Sequence, residues 1–246
     1  MSSGIWSAAS GAVGQTTALD VAANNVANAT TPGFRAETSV FRQTLADALG
    51  NAAGTRSQRF AITRSTAPDL RAGQMVHTGR ALDVALTDDK SFFAVATPNG
   101  ERYTRAGNFR LDVSGQLVTA EGQPVLGTNR RAIQLAPDAR DVQIAADGSI
   151  SVAGEPSGSQ IGVFGFANLA GLEKEGQVLL RARPEAGRPE ARATPVESNT
   201  LELSNANAVA GMTSLVNASR QFEMVTRVIE AFSQVERRAA TDIMKR

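Results

Sequence analysis

Apolar residues recur at alternating steps of three and four at both ends of this chain. Near the start they are Ile5, Ala8, Ala12, Leu19, Ala22 and Val26, with Gln15 on the same stripe. Near the end they are Met212, Leu215, Phe222, Val225, Ile229, Phe232, Val235, Ala239 and Ile243, with Ser219 among them. This is the coiled-coil period, which lays the apolar positions along one seam of a helix. It predicts a helix over residues 3–28 and another over residues 208–245, the second roughly 57 Å long. The first seam is mostly alanine and buries little area, so that helix is marginal alone in water. A plain amphipathic core helix is the alternative reading of it. A polar Gln15 on the seam favours assembly, because buried polar groups set register.

The first helix runs into Asn24, Asn25, Val26, Ala27, Asn28, Ala29, Thr30, Thr31, Pro32, Gly33 and Phe34. Asparagine is a poor helix-interior residue, since its amide competes for backbone hydrogen bonds. Asn24, Asn25 and Asn28 together imply specific polar contacts, expected here to be between helices. An ordinary Asn-rich cap accounts for one of them. Pro32-Gly33 stops the helix with a tight turn, and Phe34 is placed to fold back as a plug.

Residues 35–79 read as a connecting segment. Val40 to Leu49 predicts a short helix, and Phe60 to Thr63 and Gln74 to Thr78 predict strands. From Leu82 to Val196 the pattern turns to period two. Candidate strands are Asp83 to Leu86, Phe92 to Thr97, Arg102 to Arg105 and Phe109 to Val113, then Gln116 to Thr119, Val142 to Ala145, Ser149 to Val152 and Ile161 to Phe166. Asn99-Gly100, Ser114-Gly115, Glu121-Gly122 and Asp147-Gly148 supply the positive φ of tight hairpins. Residues 181–197 carry four arginines and three prolines and predict an exposed loop. Ser204 or Asn205 is the expected N-cap of the long helix.

The fold class is therefore α+β. Long N- and C-terminal helices form a coiled-coil-like bundle, and the centre is an antiparallel β-rich domain of sandwich or barrel-like form. Residues 1–34 with 205–246 make a terminal helical assembly domain. Residues 80–204 make the central β domain, of which 80–195 are expected to fold alone.

Composition narrows the function classes. The chain has 25 Lys and Arg against 24 Asp and Glu, a net charge of +1. That balance gives no electrostatic case for nucleic acid or an anionic membrane. Cysteine is absent, which excludes disulfides and thiolate metal sites. No apolar run reaches about 18 residues, so no membrane-inserted helix is expected. The opening Met-Ser-Ser-Gly-Ile-Trp lacks a basic n-region, so no cleaved secretory signal is expected. His77 is the single histidine, which rules out His-rich metal sites. Asp83, Asp88, Asp89 and Asp112 could supply a carboxylate pair for glycoside chemistry, but carboxylates at strand ends are common for plain reasons. No phosphate loop, dinucleotide fingerprint or His-Glu-x-x-His occurs. No catalytic residue, cofactor or metal is predicted.

Four stretches carry a family resemblance. Asn24 to Arg35 resembles the N-terminal motif of bacterial flagellar rod and hook proteins. Thr78 to Ala85 resembles the start of that family's β domain. Glu101 to Phe109 is similar to its Tyr-Thr-Arg-x-Gly-x-Phe hairpin, and Arg220 to Met224 to the Arg-x-Phe/Tyr-Glu of its last helix. One departure is Asp88-Asp89-Lys90-Ser91, where the family has Gly-Asp-Gly before its Phe-Phe pair. Phe34-Arg35-Ala36 and Arg220 to Met224 resemble the proximal rod type. The opening residues and Ala18 to Asn25 are closer to the distal rod type.

The resemblance implies a structural subunit of the periplasmic rod that transmits torque from motor to hook. It implies other rod subunits and the flagellar type III export apparatus as partners. It also implies an assembly motif at Asn24, Asn25, Asn28, Thr31, Gly33 and Phe34. The seam to be buried in assembly is Ile5, Leu19, Val26, Met212, Leu215, Phe222, Val225, Ile229 and Phe232. The competing reading is a secreted β-domain carbohydrate-active enzyme or binding protein, dimerised by its helices.

Overall fold

The computed structural model describes residues 3–45, 59–139, 141–193 and 195–244. It is α+β and divides into two units. One is made from 1–26, 37–66 and 208–246, and the other from 27–36 and 67–207.

The helical unit contains α1 (Ser3–Ala27), the strands β1 (Glu37–Leu45) and β2 (Arg59–Pro68), which pair with each other, and α2 (Ala208–Met244). The short helix expected from Val40 is instead the strand β1 as far as Leu45, and residues 46–49 lie outside the described residues. Glu37-Thr-Ser-Val-Phe is rich in β-branched and aromatic residues, which suit a pleated ribbon better than a helix. Helix α2 begins at Ala208, later than a cap at Ser204 or Asn205 would set it. Ser204 accepts a hydrogen bond from the amide of Ala206, and Asn205 is committed elsewhere. At 1.5 Å per residue α2 is about 56 Å long.

Among the described residues the β unit is built of short strands, with two single turns of 3-10 helix at Leu169–Gly171 and Pro184–Ala186. The first group is β3 (Met75–His77), β4 (Val84–Leu86), β5 (Ser91–Thr97), β6 (Gly100–Thr104), β7 (Arg110–Leu111) and β8 (Leu117–Val118). Next come β9 (Val142–Ile144), β10 (Ser149–Val152), β11 (Glu155–Gln160) and β12 (Val163–Gly165). The last are β13 (Leu172–Glu175), β14 (Leu179–Ala182), β15 (Glu190–Ala191), β16 (Val196–Ser198) and β17 (Thr200–Glu202). A six-stranded sheet runs β13-β14-β6-β5-β12-β15, a three-stranded sheet runs β11-β10-β9, and β16-β4, β17-β3 and β7-β8 form pairs. Every pairing within this unit is antiparallel. The four turn dipeptides each place their glycine at positive φ.

Strand β5 is the centre of the unit. Its Ser-Phe-Phe-Ala-Val-Ala-Thr has no polar alternation, the mark of a strand covered on both faces. Phe93 and Val95 enter one core with Val84, Leu86, Phe109, Leu117 and Val196. Phe92 and Ala94 enter a second core with Tyr103, Phe164, Phe166 and Leu180. Successive side chains of a strand point to opposite faces, so one apolar run serves both cores.

The segment 181–197 is not simply an exposed loop. Ala186 is fully buried in the second core and Val196 in the first, and β15 and β16 pair with β12 and β4. Its arginines are in part paired: Arg181 and Arg183 both clasp Glu173 across β13 and β14.

Candidate assembly site

In the helical unit, the end of α1 is tied to the start of β1. Asn25 reads both backbone groups of Glu37: its Nδ2 donates to the Glu37 carbonyl at 2.8 Å, and its Oδ1 accepts from the Glu37 amide at 2.9 Å. The Glu37 carboxylate accepts from Asn24 Nδ2 at 3.2 Å and from Thr66 Oγ1 of β2 at 3.0 Å. The asparagines read as helix-to-helix contacts thus have these bonds to a strand. Closer to the turn, Asn28 is buried in the β unit and accepts from the Thr31 amide and hydroxyl.

Within the β unit, Gly33, Phe34 and Arg35 form the middle of a dense polar cluster. Phe34 is fully buried, and Lys174 Nζ lies 3.6 Å from its ring centroid while donating to the Arg35 carbonyl at 3.1 Å. Arg35 Nη2 meets Glu202 Oε1 at 2.5 Å. Glu202 Oε2 faces Arg105 Nε at 2.9 Å, and both those side chains have 0% exposure. Glu202 Oε1 also accepts from the Gly73 amide at 2.8 Å. The Arg105 guanidinium is further held by the carbonyls of Ser91 and Asp88. Burial lowers the Arg105 guanidinium from its ordinary range, and the Glu202 charge opposes that shift. One carboxylate thus stands between two guanidiniums, and all three charges are out of water.

Backbone bonds close the same cluster. The Gly33 amide donates to the Glu202 carbonyl at 2.7 Å, and the Leu203 amide to the Gln74 carbonyl at 2.8 Å. Asn205 Oδ1 accepts from the Ala36 amide at 2.7 Å, while its Nδ2 donates to the carbonyls of Asp69 and Arg71. Sequence reading singled out neither Glu202 nor Asn205 for these roles. Arg35 and Arg105 stand inside recognisable motifs, but Thr-Leu-Glu at 200–202 has no local feature that announces a buried charge.

The helix seam is only partly covered. Leu19, Val26, Leu215, Val225 and Ile229 are half-buried, and Ala22 and Ala218 are buried. Val26 packs against Gly211, where an added Cβ would lie 2.7 Å from Val26 Cγ2. Phe222 is 37% exposed, Phe232 40% and Met212 55%. Ile5 lies in α1, in a stretch whose side chains are outside the described residues. Val209, Val216, Val228 and Val235 are exposed as well. At 100° per residue Val209 and Val216 fall across α2 from the Leu215–Ile229 stripe, while Val228 and Val235 lie at its edge beside Phe232.

Three of the four carboxylates weighed for catalysis, Asp83, Asp88 and Asp112, have structural employment. Asp83 is buried and accepts from the Thr78 hydroxyl, Asp88 accepts from Ser91, and Asp112 holds the turn at Ser114 and Gln116. A cleft of about 360 Å³ lined by Thr128, Gln160, Val163 and Arg192 has one acid in its wall, Asp147. Hydrogen bonds from Ser149 hold that carboxyl below its usual range, the opposite of what a general acid needs. Among the described residues no group of three or more acidic or histidine side chains could hold a metal ion. Among them, too, no helix is long and apolar enough to cross a membrane.

The likeness to known proteins extends along the whole chain. Residues 5–35 match the family described as flagella basal body rod protein. Residues 88–152 match the flagellar hook protein FlgE/F/G D1 domain, and 197–242 the flagellar basal body rod FlgEFG protein C-terminal region. The chain is 34% identical to the flagellar basal-body rod protein FlgG of Bacillus subtilis, over 94% of this chain and 95% of that one. It is 38% identical to FlgF of Escherichia coli over 86% of each, and 30% identical to FlgF of Caulobacter vibrioides over 92% of each. That family is one of structural proteins rather than enzymes. With its two helices, its β-rich unit and this end-to-end likeness, the chain belongs to the flagellar basal-body rod proteins of the FlgF and FlgG kind, and its place is the flagellar basal body.

Proposed function

We propose that this subunit polymerises with other rod subunits through its terminal helices and passes torque along the rod from motor to hook. The observation that carries the reading is the apolar surface of α2. Phe222 and Phe232 are more than a third exposed, Val228 and Val235 are exposed beside Phe232, and Val209 and Val216 are exposed on the other side of the same helix. Two apolar faces on one helix about 56 Å long call for helices on both sides. Burying each such side chain is worth about 1.5–3 kcal/mol, so neighbours that cover several of them bind firmly. In this reading the seam of Ile5, Leu19, Val26, Met212, Leu215, Phe222, Val225, Ile229 and Phe232 lies in a multi-subunit helical bundle. The motif from Asn24 to Phe34 fixes how each subunit enters it. The chain reaches the rod through the flagellar type III export apparatus.

Val216→Asp combined with Val228→Asp tests this in cells deleted for the gene. Both side chains are exposed, so the isolated protein should fold and remain soluble. In the assembled rod two unpaired carboxylates would meet apolar surface. Cells should be non-motile, and purified basal bodies should lack hooks and filaments. Normal filaments on the double variant would sink the proposal.

A further inference from the structure

We infer that Arg35, Glu202 and Arg105 form a folding latch: the β unit closes only when the segments around residues 33–36 and 200–205 arrive together. The ends of this unit hold each other. Strand β17 pairs with β3 through Thr200 and His77, Leu201 and Val76, and Glu202 and Met75. The Gly33 amide bonds the Glu202 carbonyl, the Asn205 amide bonds the Phe34 carbonyl, and the Asn205 side chain bonds the Ala36 amide. Residues 33–36 and 200–205 are thus one joint, made of chain about 170 positions apart.

The charges make the joint all-or-none. Arg105 and Glu202 have no exposure and Arg35 has 3%. A buried charge without its counter-ion is strongly unfavourable. Arg105 has the part-exposed Asp88 carboxylate 3.7 Å away and the fully buried Glu202 carboxylate at 2.9 Å, so its full burial waits for Glu202. Glu202 cannot leave water until the guanidiniums and the Gly73 amide are in place to receive it. Counting Asp88, the complete joint sets two carboxylates against two guanidiniums, whereas a half-formed joint leaves a buried charge unmatched. This couples order in the segment between α1 and β1 to order in the segment leading to α2. A chain emerging from either end would keep this joint open until the far end arrived.

Amide hydrogen exchange by mass spectrometry on the full-length protein tests the coupling. Arg35→Met removes one cation and leaves Glu202 paired with Arg105, so it disturbs the joint from one side. The latch predicts that protection falls at least tenfold in peptides covering 33–36, and by the same factor in those covering 74–77 and 200–205. Peptides covering β9 and β10 should keep their wild-type rates. Should Arg35→Met fail to fold, Arg35→Lys gives the same reading, because an ammonium keeps the charge but loses the planar contact. Loss confined to 33–36, unequal factors in the two segments, or no change in either would each overturn the inference.

Discussion

Gly33 lies against the backbone of Ala106 so closely that a Cβ on it would stand 2.2 Å from the Ala106 nitrogen. Its φ is +69°, in the left-handed region. Gly79 has nearly the same torsion, φ +75°, yet an added Cβ there would meet nothing within 4 Å. The two positions separate torsional strain from steric exclusion. Gly79→Ala should lower stability by about 1–2 kcal/mol through the backbone alone. Gly33→Ala should cost distinctly more, since the clash is with main chain that cannot give way. Urea denaturation of the two variants side by side checks this, and equal losses would mean that the contact with Ala106 yields freely.

Asn25 and Glu37 offer a second comparison. Asn25→Ala removes both hydrogen bonds to the Glu37 backbone, each contributing about 0.5–1.5 kcal/mol net. The opening free energy of the Glu37 amide, measured by hydrogen exchange, should drop by about 1–2 kcal/mol. Asn25→Asp keeps the acceptor and loses the donor, so its drop should be intermediate if the amide nitrogen matters. An unchanged Glu37 amide in Asn25→Ala would show that the pairing does not hold the strand start.

Although the local turns alone lead one to expect residues 80–195 to fold by themselves, the contacts predict that this fragment fails to melt cooperatively. Its turns are local, but it lacks β16, the partner of β4, and the Val196 that completes the first core. It also lacks Glu202, which leaves Arg105 without its buried counter-ion. Circular dichroism with temperature measures the outcome. A sharp transition with full strand content would show that the ends of the unit are dispensable.

Glu173 gives a pH signature. Hydrogen bonds from Arg183 and then Arg181 pull its carboxyl from 4.5 down to about 2. The folded value is depressed, so its contribution to stability is complete above pH 4.5 and is lost as pH falls through about 2. The pair is largely in water, so the gain is well under about 1 kcal/mol and is screened by salt. Glu173→Gln should be slightly less stable than wild type at pH 7 and low salt. The gap should close in 1 M salt, and also near pH 2 if the protein is still folded there. A gap that persists under both conditions would point to packing rather than charge.

The sequence alone determined the elements whose cause is local. The three-four stripe marked both helices, because helical periodicity is written in neighbouring residues. Ser91–Thr97 and the hairpins closed by Asn99-Gly100, Ser114-Gly115 and Asp147-Gly148 were legible for the same reason: a turn glycine and an apolar run need no distant partner to be recognised. The motifs around Asn24 to Arg35 and Tyr103 to Phe109 carried the family.

Tertiary structure decided the rest. Leu172-Glu-Lys-Glu has helix-forming composition, yet it is strand β13, because β14 offers its ladder and Lys174 is drawn over Phe34. The polar Glu155–Gln160 and Thr200–Glu202 form strands by pairing with β10 and β3. Asn205 resembles a helix cap in sequence, but Ala36, Asp69 and Arg71 take up its amide. Above all, no local pattern joins Arg35 to Glu202 and Arg105. Their charges become tolerable in the interior only when folding brings them within about 3 Å of one another, and that meeting is a property of the closed sheet, not of any one segment.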